Sequence, residues 1–341
     1  MTSLLGQKNF LDFFPTPEFL LLSTTGIVVT DADTKFMQLR RRTFGDGFEL
    51  AHASKVDNPK GTVESGLINN PGEIVSILKE LSSHYNIHYA RASLPEERAY
   101  LFTTSISWVP SLELKDAVAF IIEENVPMSL AESVFDFEII EEDEGDGEIK
   151  LAVSVLPKSV VNAYVELFES SGITPVSFDL ESQAIARAVI HRGDKRTHLV
   201  INLSLKRTGF YVVEEEVVQF STTLAYGIDG DDSYPNLNDL KAEMRKVFAF
   251  WNARTDPLRQ SFSEASKSSR LGKKIEKVIL CGLKGSRIDF VEKLMGESEA
   301  PYALADVWQN TSSSRNRVSE IPFEASLDYA SAIGLVLPRD R

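Results

Sequence analysis

The chain has 341 residues, 43% of them apolar, with a formal net charge of -14 and a pI near 5.0. That length suits two domains or one two-lobed fold, and the acidic balance excludes a partner held mainly through phosphate neutralisation, nucleic acid above all, despite the local run Arg40, Arg41, Arg42. The single cysteine, Cys281, excludes an intrachain disulfide and a cysteine-rich zinc site and fits a reducing compartment, the cytoplasm.

The apolar segment Phe10 to Leu22 is interrupted by Asp12, Pro15, Pro17 and Glu18, which makes it too short and too broken to span a bilayer. It has neither the basic flank nor the cleavage pattern of a signal peptide, and residues 1–22 are expected to form a leader packed on the protein's own body. Gly26 to Thr30, Lys35 to Thr43 and Phe48 to Ala53 read as a strand meander, the third strand following the turn Gly45-Asp46-Gly47. Pro71 opens a helix with Ile74, Ile77, Leu78 and Leu81 at helical spacing. Strands are expected at Tyr89 to Leu94 and Ala99 to Ser105, and a helix at Leu112 to Asn125 with Ala117, Val118, Ile121 and Ile122 on its apolar face.

Phe135 to Ile140 and Ile149 to Val155 read as a hairpin whose loop, Glu141 to Glu148, is acidic but lacks the ligand spacing of a calcium hand, so it reads as solvated. A helix follows Pro157, with Val160, Val161, Tyr164, Val165 and Phe168 on one side and Gly172 as its C-cap. Next come a strand from Ile173 to Asp179 and an alanine-rich helix from Leu180 to Ile190, where Glu181 offsets the helix dipole or faces a cleft. The opening meander then recurs at Leu199 to Leu203, Thr208 to Val213 and Val217 to Leu224, the mark of a duplicated fold. The rest reads as a helix from Asn238 to Asn252, a strand from Val278 to Cys281, a helix from Arg287 to Met295 capped by Ser286, a polar loop from Thr311 to Ser319, and a final helix from Ala325 to Leu335.

Five motifs in this order carry a resemblance: Ser93-Leu-Pro-Glu-Glu97, Val176-Ser-Phe-Asp-Leu-Glu-Ser182, Lys277-Val-Ile-Leu-Cys-Gly282, Ala305-Asp-Val-Trp308, and Leu327-Asp-Tyr-Ala-Ser-Ala-Ile-Gly-Leu335. From about Gly26 to Pro338 the chain resembles the PilM family, actin-like cytoplasmic proteins of type IV pilus assembly related to the division protein FtsA. The resemblance implies an α/β, actin/Hsp70-type two-lobed fold with an inserted α+β subdomain, an ATP cleft between the lobes, and a groove for the short cytoplasmic N-terminal segment of an inner-membrane PilN-like partner. The expected division is a first lobe at 23–86 and 177–195, an inserted subdomain at 87–176, a second lobe at 196–228 and 275–341, and a reduced lid at 229–274.

The phosphate hairpins of that family correspond to Gly26-Ile-Val-Val-Thr-Asp-Ala-Asp-Thr-Lys-Phe-Met-Gln-Leu39 and Leu199-Val-Ile-Asn-Leu-Ser-Leu-Lys-Arg-Thr-Gly-Phe-Tyr-Val-Val213. In the first, Gly26 and Lys35 match. Val28 replaces the magnesium-organising Asp, and Thr30 replaces a Gly whose small size lets backbone N–H groups approach phosphate. In the second, Asn202 stands for Asp and Ser204 for Gly, while the adenosine motif is reduced to Gly282-Leu283-Lys284-Gly285. The expectation is a pilus scaffold that binds a partner peptide without hydrolysing ATP and needs no cofactor. The degenerate nucleotide site comprises Thr30, Asp31, Asp33, Lys35, Asn202, Ser204, Gly282 and Gly285, and the competing reading is an ATPase in which Asp31, Asp33 and Lys35 have taken over the magnesium and phosphate contacts; a third is an adaptor unrelated to pili. His84 and His88 have the spacing of a helical metal pair but no third ligand, so no metal is expected, and Trp108, Trp251 and Trp308 read as core or interface residues.

Overall fold

The computed structural model describes residues 24–41, 48–143, 147–226, 237–254, 273–282, 287–311 and 321–338. The first lobe opens with β1 (Thr24–Val29), β2 (Asp33–Arg41) and β3 (Phe48–Asp57), an antiparallel meander. The small hairpin β4 (Val63–Glu64) and β5 (Leu67–Ile68), α1 (Pro71–Tyr85) and β6 (Tyr89–Leu94) follow. Pro71 sits at the N-terminal end of α1, where its missing N–H has no helical partner to lose, and Asn86 ends the helix in the left-handed region.

The second lobe repeats this plan. β11 (Thr197–Leu203), β12 (Thr208–Glu214) and β13 (Val217–Leu224) form its meander, and β14 (Lys277–Cys281) and β15 (Tyr302–Leu304) complete the sheet. With β10 (Thr174–Leu180) added to the first sheet, the two strand orders are β3-β2-β1-β6-β10 and β13-β12-β11-β14-β15. In each, three antiparallel strands are followed by two parallel ones, so the duplication inferred from the meanders extends to whole sheets.

Alternation along the strands sends side chains to separate layers. Ile27 and Val29 face α1 and α3 (Lys158–Ser170), whereas Val28 faces the inner layer. Leu199, Ile201 and Leu203 face α5 (Leu237–Ala253) and α6 (Ile288–Met295), whereas Val200 faces inward. The inner layer is α4 (Glu181–Val189) with α8 (Ala330–Val336), a shared core between the two sheets, and the short α7 (Phe323–Ser326) leads into it from the surface. There α4 and α8 touch backbone to backbone: a Cβ on Gly334 would lie 1.7 Å from the Ala184 carbonyl oxygen. Arg187 Nη1 donates to the Gly334 carbonyl at 2.7 Å and to Asp179 at 3.0 Å, fastening the crossing.

A separate small unit consists of β7 (Tyr100–Ser107), α2 (Ser111–Asn125), β8 (Ser133–Asp143) and β9 (Glu148–Pro157), with strand order β7-β9-β8. It is narrower than the expected 87–176, because β6 and β10 extend the first-lobe sheet and α3 packs in that lobe's core beside α1. Within 229–274, α5 belongs to the second-lobe core rather than to a lid, burying Leu240, Met244, Val247, Phe248 and Trp251.

Two further expectations change. The final helix is not continuous: α7 passes through a 3-10 turn, Leu327–Tyr329, into α8. α6 starts one residue later than expected, with Arg287 as its flanking residue and no side-chain cap; Ser286 lies outside the described residues. Trp251 and Trp308 pack into the cores, while Trp108 is half-exposed and donates to Glu142. The leader, the turn at 45–47, the centre of the acidic loop and the loop at 312–320 also lie outside the described residues.

Candidate functional site

The turn of the first hairpin is closed by Thr30. Its hydroxyl accepts from the N–H of Ala32 at 3.2 Å and of Asp33 at 3.0 Å, and it lies 2.9 Å from Asp33 Oδ1, an acceptor for its proton. The N–H of Thr30 donates to the Asp33 carbonyl. The donors that would form an anion nest are therefore used within the turn. The carboxylate of Asp31 is engaged within the first lobe: it accepts from the backbone N–H of Ser65 at 2.8 Å and of Gly66 at 3.1 Å in the β4–β5 turn.

Lys35 is buried and lies 2.5 Å from Asp328 and 3.4 Å from Asp33. Lys55 completes the cluster at 2.9 Å from Asp328 and 3.3 Å from Asp33. Two ammonium groups and two carboxylates thus neutralise one another, as buried charges must. Burial disfavours the Lys55 ammonium, yet Asp328 and Asp33 hold its pKa above the ordinary lysine value. The 3-10 turn in the last helical segment brings Asp328 to these lysines, which explains the break there.

The second hairpin is tied differently. Arg207, in the turn between β11 and β12, reaches the first lobe and pairs through Nη1 with Glu97 at 2.5 Å and through Nη2 with Glu181. Burial opposes the guanidinium, but Glu181 and Glu97 outweigh it and raise its pKa further. Asn202 Nδ2 donates to the other Glu181 oxygen at 3.3 Å, and the thiol of buried Cys281 lies 3.8 Å from Asn202 Oδ1. Beside them Glu96 accepts from the Ser182 N–H at 3.1 Å, and full burial pushes its pKa up. Glu181 therefore faces the cleft, in addition to opening α4.

The glycines shared with the resembled motifs have packing reasons. A Cβ on Gly26 would lie 2.5 Å from the Ala332 carbonyl oxygen, and one on Gly282 would lie 2.5 Å from that of Leu203. Gly282 also has φ +90, which side-chain-bearing residues avoid. Gly285 lies outside the described residues.

Thr30, Asp31, Asp33, Lys35 and Ser204 do come together, joined by Arg207 and Asp328, around a cavity of about 10 Å³. That is room for about one water molecule. Asn202 and Gly282 do not line it. These residues do not fit Mg-ATP: the turn amides are used, Lys35 is neutralised, and the remaining gap is far smaller than a triphosphate. Sequence reasoning missed Lys55, Glu97, Arg207 and Asp328, although Glu97 and Asp328 sit inside two of the motifs that carried the resemblance. Among the described residues no group of His, Cys, Asp and Glu could hold a metal ion; His84 stacks edge-on against Tyr85.

A larger cavity, of about 250 Å³, lies at the other end of α4. Its walls come from three bodies: Glu138 of the inserted unit, Gln183, Ala186 and Arg187 of α4, and Glu216 and Val218 of the second lobe. Among the described residues no helix is long and apolar enough to cross a membrane.

Two sheets of one plan, closed on a shared pair of helices, define an actin-like fold. The sequence profile described as type IV pilus assembly protein PilM matches residues 26–233, and the chain belongs to that family. Among solved structures, a chain of the "PilM-PilN type IV pilus biogenesis complex" superposes with a TM-score of 0.72 at 18% identity, covering 92% of this chain and 97% of that one. The ethanolamine utilization protein EutJ from Carboxydothermus hydrogenoformans gives a TM-score of 0.45 at 11% identity, covering 93% and 90%. The cytoplasmic domain of EpsL, an inner membrane component of the type II secretion system of Vibrio cholerae, gives 0.44 at 10%, covering 91% and 94%. No curated protein matches the chain.

Proposed function

We propose that this protein is a non-hydrolysing, actin-like scaffold of type IV pilus assembly that docks the cytoplasmic N-terminal segment of a PilN-like protein at the inner membrane's cytoplasmic face. The observation that carries this reading is the closure of the space between the hairpins by the chain's own ion pairs, Lys35 with Asp328 and Arg207 with Glu97 and Glu181. Family membership supports the pilus role, and the fold match to a chain from a PilM-PilN complex supports the partner. The 250 Å³ cavity, with both acidic and basic groups over an apolar floor, supplies a seat for an extended segment, a mode of recognition that needs no catalytic residue.

The ATPase alternative requires Lys35 to leave Asp328 and Asp31 to leave Ser65 and Gly66. Two titrations decide. The expected result is binding of a synthetic N-terminal segment of the PilN-like partner and no heat from Mg-ATP. Micromolar ATP binding with phosphate release would overturn the non-hydrolysing part, and failure of the segment to bind at low and physiological salt would overturn the docking part.

A further inference from the structure

In a cleft of this architecture a bound nucleotide would bridge the two hairpins and so set the angle between the lobes. Here that span carries one charged side chain, Arg207, with Asn202 donating beside it to Glu181. Arg207 leaves the β11–β12 turn of the second lobe and is gripped by Glu97, just beyond β6, and by Glu181, the first residue of α4. All three side chains are largely buried. A planar guanidinium held by two carboxylates fixes direction as well as distance. Pulling the lobes apart would strand two carboxylates in a dry site beside Glu96, which makes opening unfavourable.

The same helix connects this contact to the larger cavity. Glu181 opens α4, Ala184 abuts Gly334 at the crossing with α8, and Gln183, Ala186 and Arg187 form the cavity wall. At the far end Asn310 donates to the carbonyls of Arg187 and Ile190 and so holds the helix terminus to the second lobe. Because the opposite walls belong to the inserted unit and the second lobe, the cavity's width depends on the interlobe angle.

We propose that Arg207 is an internal clamp that takes the place of a nucleotide as the closing element between the lobes, so that the cavity beside α4 keeps one shape whether or not ATP is present. The inference rests on reading that cavity as the partner's seat. It converts a nucleotide-responsive architecture into a constitutive one.

The test uses the full chain and hydrogen exchange over residues 94–98, 180–184 and 203–208, with small-angle scattering. Three forms are compared: wild type, Arg207→Met, and the triple variant Arg207→Met, Glu97→Gln, Glu181→Gln, which removes the stranded charges so that folding is retained. The triple variant is expected to unfold cooperatively on heating, to exchange about tenfold faster in those segments, and to have a larger radius of gyration. Wild type is expected to show no change with millimolar Mg-ATP. A folded triple variant with wild-type exchange and scattering would overturn the clamp, as would protection of wild type by Mg-ATP. If Arg207→Met fails to fold, the triple variant decides alone. Binding of the partner segment is measured in parallel: no binding to wild type refutes the docking reading, while the exchange data still judge the clamp.

Discussion

Thr30 has a branched side chain where the resembled motif has a glycine, and its hydroxyl satisfies two amide donors that a glycine would leave pointing outward. Replacing it with valine keeps the shape and strands those donors in a half-buried turn, at a cost of about 1–2 kcal/mol, readable from the urea midpoint. A bolder substitution set, Val28→Asp, Thr30→Gly, Asn202→Asp and Ser204→Gly, restores the motif in sequence. Because Lys35 and Arg207 remain paired, calorimetry with Mg-ATP is expected to stay silent; heat of binding would show that the motif residues alone had been limiting. Lys35→Met leaves Asp33 and Asp328 to share Lys55, and removal of one partner from a buried ion cluster costs about 3–5 kcal/mol. Equilibrium unfolding in urea gives that loss directly.

At the scale of elements, the contact between α4 and α8 is the tightest constraint in the inner layer. Gly334→Ala would force a methyl into the Ala184 carbonyl, and overpacking of this kind costs about 1–3 kcal/mol, visible as a lower unfolding midpoint. Gly172→Ala is the comparison: it has φ +77 and nothing within 4 Å, so only the left-handed backbone penalty of about 1 kcal/mol applies. Apart from the two-residue strands β4 and β5, which were not read, the strands and helices from β1 to α5 were legible in the sequence, since alternation or helical spacing marks each buried face. β15, three residues long, has no room for a period, and the break before α8 has a tertiary cause, the pull of Asp328 toward Lys35 and Lys55. The candidate site was legible only from one side. Residues on the hairpins could be aligned by motif, but their partners are 293 residues away for Lys35 and 110 for Arg207, a separation that no local pattern encodes.

For the whole molecule, stability should respond to pH through groups whose shifts act in opposite directions. Burial lowers the pKa of His198 below its ordinary 6.5, so the unfolded chain takes up that proton first and stability falls as pH drops below that value. Asp194, held below its ordinary 3.8 by hydrogen bonds from Arg196, adds stability that is present above 3.8 and is lost as pH falls through its depressed pKa. Glu96 works the other way: with its pKa raised above 4.5, its contribution is full below 4.5 and is lost as pH rises through the raised value. Urea unfolding of Glu96→Gln and wild type over a pH series should therefore give a difference that shifts in favour of the variant as pH rises. A difference independent of pH would mean that Glu96 does not titrate differently on folding.

The chain's single thiol has a practical consequence. Cys281 is fully buried on β14, in hydrogen-bonding range of Asn202 beneath the second hairpin, and burial pushes its pKa up. A thiol reagent added to the unmodified protein can react only when this floor is uncovered, so its labelling rate counts openings without an engineered probe. If labelling slows in step with global stability, the lobes separate only by unfolding. If it is faster than global unfolding allows, the protein breathes along the seam between its two sheets, and the rate measures how often.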